Sequence, residues 1–136
     1  MSRARPETSS SRRSNERGSV SVELLIVLPA LFAVMFLGMQ AAMFYHARTV
    51  AIAAAQEGAR AVAGENGKEA DGIRAATAFI TDAGGDDVLP GATATVSRSA
   101  TTATVVIKAH SLSVIPGWTL MVTQGATVPV ERLTAP

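Results

Sequence analysis

A chain of 136 residues holds at most one globular domain with appendages. It has no cysteine, which excludes disulfides and thiolate chemistry, and only two histidines, His46 and His110, so a zinc site or histidine dyad would have to borrow its other ligands from elsewhere. The formal net charge of +1 hides an asymmetry: residues 1–18 carry five Arg against Glu7 and Glu16, while residues 19–136 carry seven bases against nine acids.

Residues 1–17, MSRARPETSSSRRSNER, are rich in Ser and Arg and lack large apolar side chains apart from Met1. Such a segment cannot bury enough surface to offset its ordering entropy, and it reads as disordered. The apolar excess of the chain, 48% overall, sits in the next segment. From Leu24 to Tyr45 the only strongly polar side chain is Gln40. Twenty-two residues at helical rise span about 33 Å, enough for a hydrocarbon core of about 30 Å. Backbone groups in lipid must satisfy one another, so the run predicts a helix, with Pro29 removing one donor and bending it. The basic side chains before the run place the N-terminus in the cytoplasm and the C-terminus outside, in a single-pass topology. They lie beside a membrane-length run, so they read as a topology signal and not as a nucleic-acid surface.

The helix is expected to continue beyond the membrane. In HARTVAIAAAQEGARAVAG, Ala47, Ala51, Ala55, Ala59 and Ala63 recur every four residues, drawing a small-residue stripe that Gly38 and Ala42 extend backward. Two uses are open to it: packing on the protein's own sheet, or on other subunits. Gly64 and Gly67 terminate the helix. KEADGIRAATAFITDAGG predicts a short second helix with Ile73, Ala76, Thr77 and Ile80 on one face, followed by a loop, GGDDVLPG. The composition then turns to Thr, Val and Ser, and strands are predicted over 92–97, 103–113 and 120–131. Val105, Ile107 and Ala109 share a face, and Leu112 and Val114 fall on the other, so a bulge is expected near 109–111. Gly125 and Pro129 imply an edge position or a bulge in the third strand. Three short strands need a helix packed on them.

Several residues invite a functional reading. Gln40 reads as an ordinary polar side chain in the outer span or as an interhelical hydrogen-bonding group within an assembly. Tyr45, His46 and Arg48 mark the outer membrane–water interface. Asp82, Asp86 and Asp87 hint at calcium, but their spacing fits no EF-hand loop and suggests a solvated acidic loop. Trp118, the single tryptophan, reads as a cover for the core or as an exposed contact with another protein. No phosphate loop, nucleophile–base pair or cofactor motif is present, so neither catalysis, a cofactor nor a small-molecule substrate is expected.

The stretch NERGSVSVELLIVLPALF puts one acid, Glu23, at the mouth of the apolar run, five residues after Gly18. A secretory signal has a shorter apolar core, and a plain anchor leaves the Gly18 and Glu23 pairing unexplained. Helix-dipole complementation at the headgroup level would account for Glu23 alone. The order Arg17-Gly18, Ser19-Val20-Ser21-Val22, Glu23 and a long apolar helix resembles the processing site of type IV prepilins. With ARTVAIAAAQEGARAVA after it, the chain resembles most closely the TadE-like family, the pseudopilins or minor pilins of the tight-adherence, Flp-type pilus. The family often carries an aromatic after the acid, and this chain has Leu24.

The resemblance implies cleavage between Gly18 and Ser19 by a membrane-embedded aspartic prepilin peptidase, and pairing of Glu23 with the liberated amine of a neighbouring subunit. Pro29 then shapes the helix for packing. Expected partners are the peptidase, other pilins or pseudopilins, inner-membrane assembly proteins and the lipid bilayer. The expected location is the cytoplasmic membrane, or a pilus at the cell surface. The fold expected is α+β and pilin-like: a cleaved leader over 1–18, a spanning and projecting helix over 19–63, and an extracytoplasmic domain over 64–136 with a short helix and a three-stranded antiparallel sheet. The competing reading is an unprocessed, membrane-anchored binding module.

Overall fold

The computed structural model describes residues 12–132, with side chains from 18 onward. Its elements are two helices, α1 (Arg12–Ala63) and α2 (Glu69–Asp82), a 3-10 turn at Gly85–Asp87, and three strands, β1 (Thr93–Arg98), β2 (Thr102–His110) and β3 (Met121–Pro129). The fold is α+β, and the strands form one antiparallel sheet in the order β1-β2-β3. Residues 1–11 of the expected leader lie outside the described residues, whereas 12–18 form the start of α1 and not the disordered segment that their composition suggests. Once a helix is nucleated, each added residue gains a hydrogen bond for two dihedrals fixed, so a long apolar helix extends readily into a polar flank.

Two compact units divide at Leu37 and Gly38. In the first, the described side chains belong to α1 alone, and its large apolar residues face outward. Pro29 lies inside the helix, which continues on both sides of it.

The second unit has a core along one face of the sheet. Alternation in β2 sends Ala103, Val105, Ile107 and Ala109 inward. Against them lie Ala47, Val50, Ala51, Ala54, Ala55 and Ala59 of α1, together with Ala76 and Ile80 of α2 and Leu89 from the loop. The alanine row from Ala47 to Ala63 is thus consumed within the chain. α2 meets α1 through two glycines: a Cβ on Gly58 would lie 2.9 Å from Gly72 O, and one on Gly72 would overlap Val62 Cγ2. That close crossing buries Gly72 together with Ala76 and Ile80, two of the four residues on the expected face. Ile73 and Thr77 are exposed, because the helix turns its smallest residue toward α1 to bring the backbones together. Asp71 accepts a hydrogen bond at 2.9 Å from the Lys68 N–H and so caps the first turn of α2.

The end of α1 is closed from three sides. Gly67 N donates to Gly64 O at 2.9 Å, Glu131 N donates to Ala63 O at 2.9 Å, and the Arg98 guanidinium donates to Gly67 O. Ala63 O belongs to the last helical turn, whose carbonyls lack helical partners, and the other two bonds close the turn that follows.

The register runs without interruption from Thr93 opposite Lys108 to Arg98 opposite Ala103, and from Thr102 opposite Pro129 to His110 opposite Met121. No bulge occurs at 109–111; β2 ends at His110, and the change of face at Leu112 follows from the chain leaving the sheet. Gly125 and Pro129 sit in an edge strand, where a missing ladder donor is tolerated. The order of contacts lays the sheet along α1: Ala103 packs with Val62 and Ala63, while the chain beyond His110 meets Gln40.

Candidate functional site: an open apolar helix and the Gln40 clamp

An apolar side chain in water is unfavourable, so a helix that shows such side chains on all sides calls for another medium or another protein. The large apolar residues from Val20 to Met39 are all exposed, Leu25 by 76%. Among the described residues this is the one helix long and apolar enough to cross a membrane, and it makes a candidate membrane anchor near the N-terminus. Gly18, Ser19 and Glu23 lie at its polar end and are exposed, and a Cβ added at Gly18 would meet nothing within 4 Å. Serine, glycine and carboxylate thus lie along little more than one turn of helix, open to an approaching protein.

The small-residue stripe divides in two. Gly38 and Ala42 are exposed, and Gly38 has no atom near the position of a Cβ. Ala47, Ala51, Ala55, Ala59 and Ala63 are buried against the protein's own strands. Only the lower pair offers a place where another helix could approach closely.

Gln40 is neither of the things its position suggests. It is 2% exposed, and its amide is used up inside the chain. Nε2 donates to Leu112 O at 3.3 Å, and Oε1 accepts from Val114 N at 3.0 Å and stands 3.0 Å from Ser113 Oγ. The Ser113 hydroxyl also lies 2.7 Å from Ile115 O and accepts from Ile115 N at 3.2 Å; its single proton serves one acceptor at a time. Gln40 therefore fixes the β2–β3 loop, residues 111–120, to the helix. The amide geometry suits this task, offering one donor and one acceptor to a backbone that has left the sheet. The sequence signal for it is a lone amide in a run otherwise without strong polarity.

The loop tip is a tight turn. Trp118 N donates to Ile115 O at 3.2 Å across Pro116 and Gly117, and Gly117 has φ of 77°, as a type II turn requires at that position. Trp118 is 42% exposed, so it does not cover the core. Ser111 lies beneath, buried, its hydroxyl without a hydrogen-bond partner. Tyr45 is exposed and meets Phe44 edge-on at 5.9 Å, while His46, Arg48 and His110 are exposed. In the acidic loop, Asp86 Oδ1 accepts from Gly91 N at 3.3 Å, and no group of three metal-binding side chains gathers among the described residues. An open groove of 610 Å³ runs along the outer face of α2, lined by Ile73, Arg74, Thr77 and Asp82 among others.

Against known families, residues 18–60 match the model described as TadE-like protein. Over these residues the long helix is similar to that family. The match opens on Gly18 and closes at Arg60, one turn before α1 ends, so it takes in the open apolar segment and most of the buried alanine row. Neither a curated protein nor a solved structure matches the chain. TadE-like similarity points to a minor-pilin-like protein associated with the tight-adherence pilus, and the exposed apolar helix agrees with a membrane-anchored protein of that kind.

Proposed function

We propose that this chain is a pseudopilin or minor pilin of a Flp-type pilus: a structural subunit and not an enzyme, cut between Gly18 and Ser19 by a prepilin peptidase. The observation that carries the reading is the order of chemistry on one helix. Gly18 opens the family match, Glu23 follows, and then comes an apolar run whose large side chains are exposed.

Each part has a physical task. Gly18 lets an extended backbone lie close to catalytic carboxylates, and glycine is worth about 1 kcal/mol less than alanine in a helix, which eases local unwinding. Cutting there removes the five leading Arg, the charge that holds the tail at the cytoplasmic face, and leaves an ammonium on Ser19. A carboxylate deep in lipid costs about 3 kcal/mol on insertion scales. Pairing Glu23 with the amine of a neighbouring subunit recovers much of that cost and sets the register of assembly. Gly38 and Ala42 offer the neighbouring helix a close approach. The domain beyond the span lies outside the cytoplasmic membrane. The partners are the peptidase, other pilins or pseudopilins, the inner-membrane assembly proteins and the bilayer.

N-terminal sequencing and intact mass of the membrane fraction test the proposal. Cells with a working prepilin peptidase should yield a chain beginning at Ser19, and Gly18→Leu should abolish that species. A chain beginning at Met1 in the same cells would refute processing and leave a tethered binding module. A soluble product beginning near residue 47 or later would mean an ordinary secretory signal.

A further inference from the structure

We infer that the β2–β3 loop is a second membrane contact, with Trp118 seated at the boundary between headgroups and acyl chains on the outer side. The inference rests on the anchoring part of the proposed function and is independent of cleavage.

Depth comes first. About 20 helical residues cross a bilayer core. Counted from Glu23 along the sequence, the far boundary falls near residue 43; counted from Ser19, it falls near residue 39. Gln40 sits at this boundary in either count, and it is bonded to Leu112, Ser113 and Val114. The loop is therefore held at the depth of the lipid boundary by the helix itself. This also explains how a primary amide is accommodated in the apolar run: its polar atoms face backbone groups instead of acyl chains.

Composition comes second. The loop from Ser111 to Leu120 contains no charged residue, although the chain as a whole is 17% charged. A water-facing loop has no need to avoid charge over such a length, while a lipid-facing one does. Half-buried Ile115 and exposed Pro116 and Trp118 make up the tip, with exposed Met121 at the start of β3. Tyr45, on the helix near the same boundary, is exposed as well. Trp and Tyr have amphipathic rings that favour this level of a bilayer.

Rigidity comes third. The tip is locked by the Trp118 to Ile115 hydrogen bond, and its base by Ser111 N donating to Leu120 O at 2.9 Å. A preformed, charge-free projection enters the interface at little ordering cost. The opposite end of the sheet, the β1–β2 turn beside Arg98, carries the polar run Ser99, Thr101 and Thr102 and lies near Ala63, about 35 Å further along α1.

Trp118 is the chain's sole tryptophan, so its fluorescence reports on this loop alone. The full chain is reconstituted into phosphatidylethanolamine and phosphatidylglycerol vesicles whose acyl chains carry bromine at shallow or deep positions. Blue-shifted emission is expected, quenched more by shallow bromine than by deep bromine. The double variant Trp118→Phe, Thr101→Trp, which moves the indole to the far turn, should be unquenched. Emission that is not quenched by either lipid, whether water-like or blue-shifted through a protein contact, overturns the inference if the chain resists carbonate extraction. Equal quenching of both indoles overturns it too. Release of the chain by carbonate would overturn the anchor reading and this inference with it.

Discussion

Gln40→Leu gives the most informative perturbation of the second unit, because it preserves approximate size and removes every polar contact of the clamp. In its absence the Val114 N–H and the Leu112 carbonyl lose their side-chain partner, while Ser113 keeps Ile115. A buried polar group left unpaired costs about 1–3 kcal/mol, so the two orphans sum to roughly 2–6 kcal/mol. The apolar replacement returns part of that, and loop opening caps the rest, which sets the expected loss at about 2–4 kcal/mol. The loss is local, since β2 and β3 keep their ladder. Hydrogen exchange followed by mass spectrometry, on the full chain in detergent micelles, reads it directly. Peptides covering 111–118 should exchange about 30-fold faster or more, as each 1.4 kcal/mol is tenfold in an opening constant. Peptides within β2 should change little. Unaltered exchange over 111–118 would refute the clamp.

Four further outcomes follow from the same contacts. Gly67→Ala forces a Cβ into Val62 O and within 2.6 Å of Ala61 O, and should cost about 2 kcal/mol or more, whereas Gly64→Ala meets only Ala61 O at 3.9 Å and should stay within about 0.5 kcal/mol; urea unfolding compares them. Ser111→Ala removes a buried hydroxyl without a partner and should raise stability by about 1 kcal/mol, seen as a higher thermal midpoint. Ile107→Ala, in the wholly buried row of β2, should cost about 2–5 kcal/mol by the same unfolding assay. Glu23→Gln should leave the Ser19 terminus intact yet reduce pili counted by electron microscopy, because the charge pair exists only after cleavage; undiminished piliation would refute the pairing.

The parts of this fold that repeat along the chain could be read from local order alone. The apolar run, the four-residue alanine period and the alternation of Val105, Ile107 and Ala109 each carry their structure in their own spacing, and α2 and the three strands fall within a few residues of expectation, apart from the early end of β2. What escaped depends on contacts between distant segments. Gln40 meets partners 72–74 residues away, and nothing adjacent to it indicates a loop that far along. Helical spacing put Ile73 on the packed face of α2; the crossing with Gly58 buries Gly72 instead, since a close crossing rewards the missing side chain. Trp118 left a core cover and an exposed contact both open, and its 42% exposure decides for the second. For the candidate site, the apolar run was legible because its chemistry is sequential, and Gly18 and Glu23 could be named from their place at its mouth. The division of the small-residue stripe was not, since its buried part is decided by a sheet that lies later in the chain.

The alanine seam between α1 and β2 also inverts the usual response of an interior to substitution. A core of large side chains is injured chiefly by holes, and enlarging a residue there is the milder change. Here the helix side of the seam is methyl groups, so trimming it has almost nothing to remove, while any added bulk at Ala51, Ala55 or Ala59 acts as a shim that lifts the sheet from the rod. The protein should therefore hold these positions to the smallest side chains, a constraint of clearance and not of greasiness.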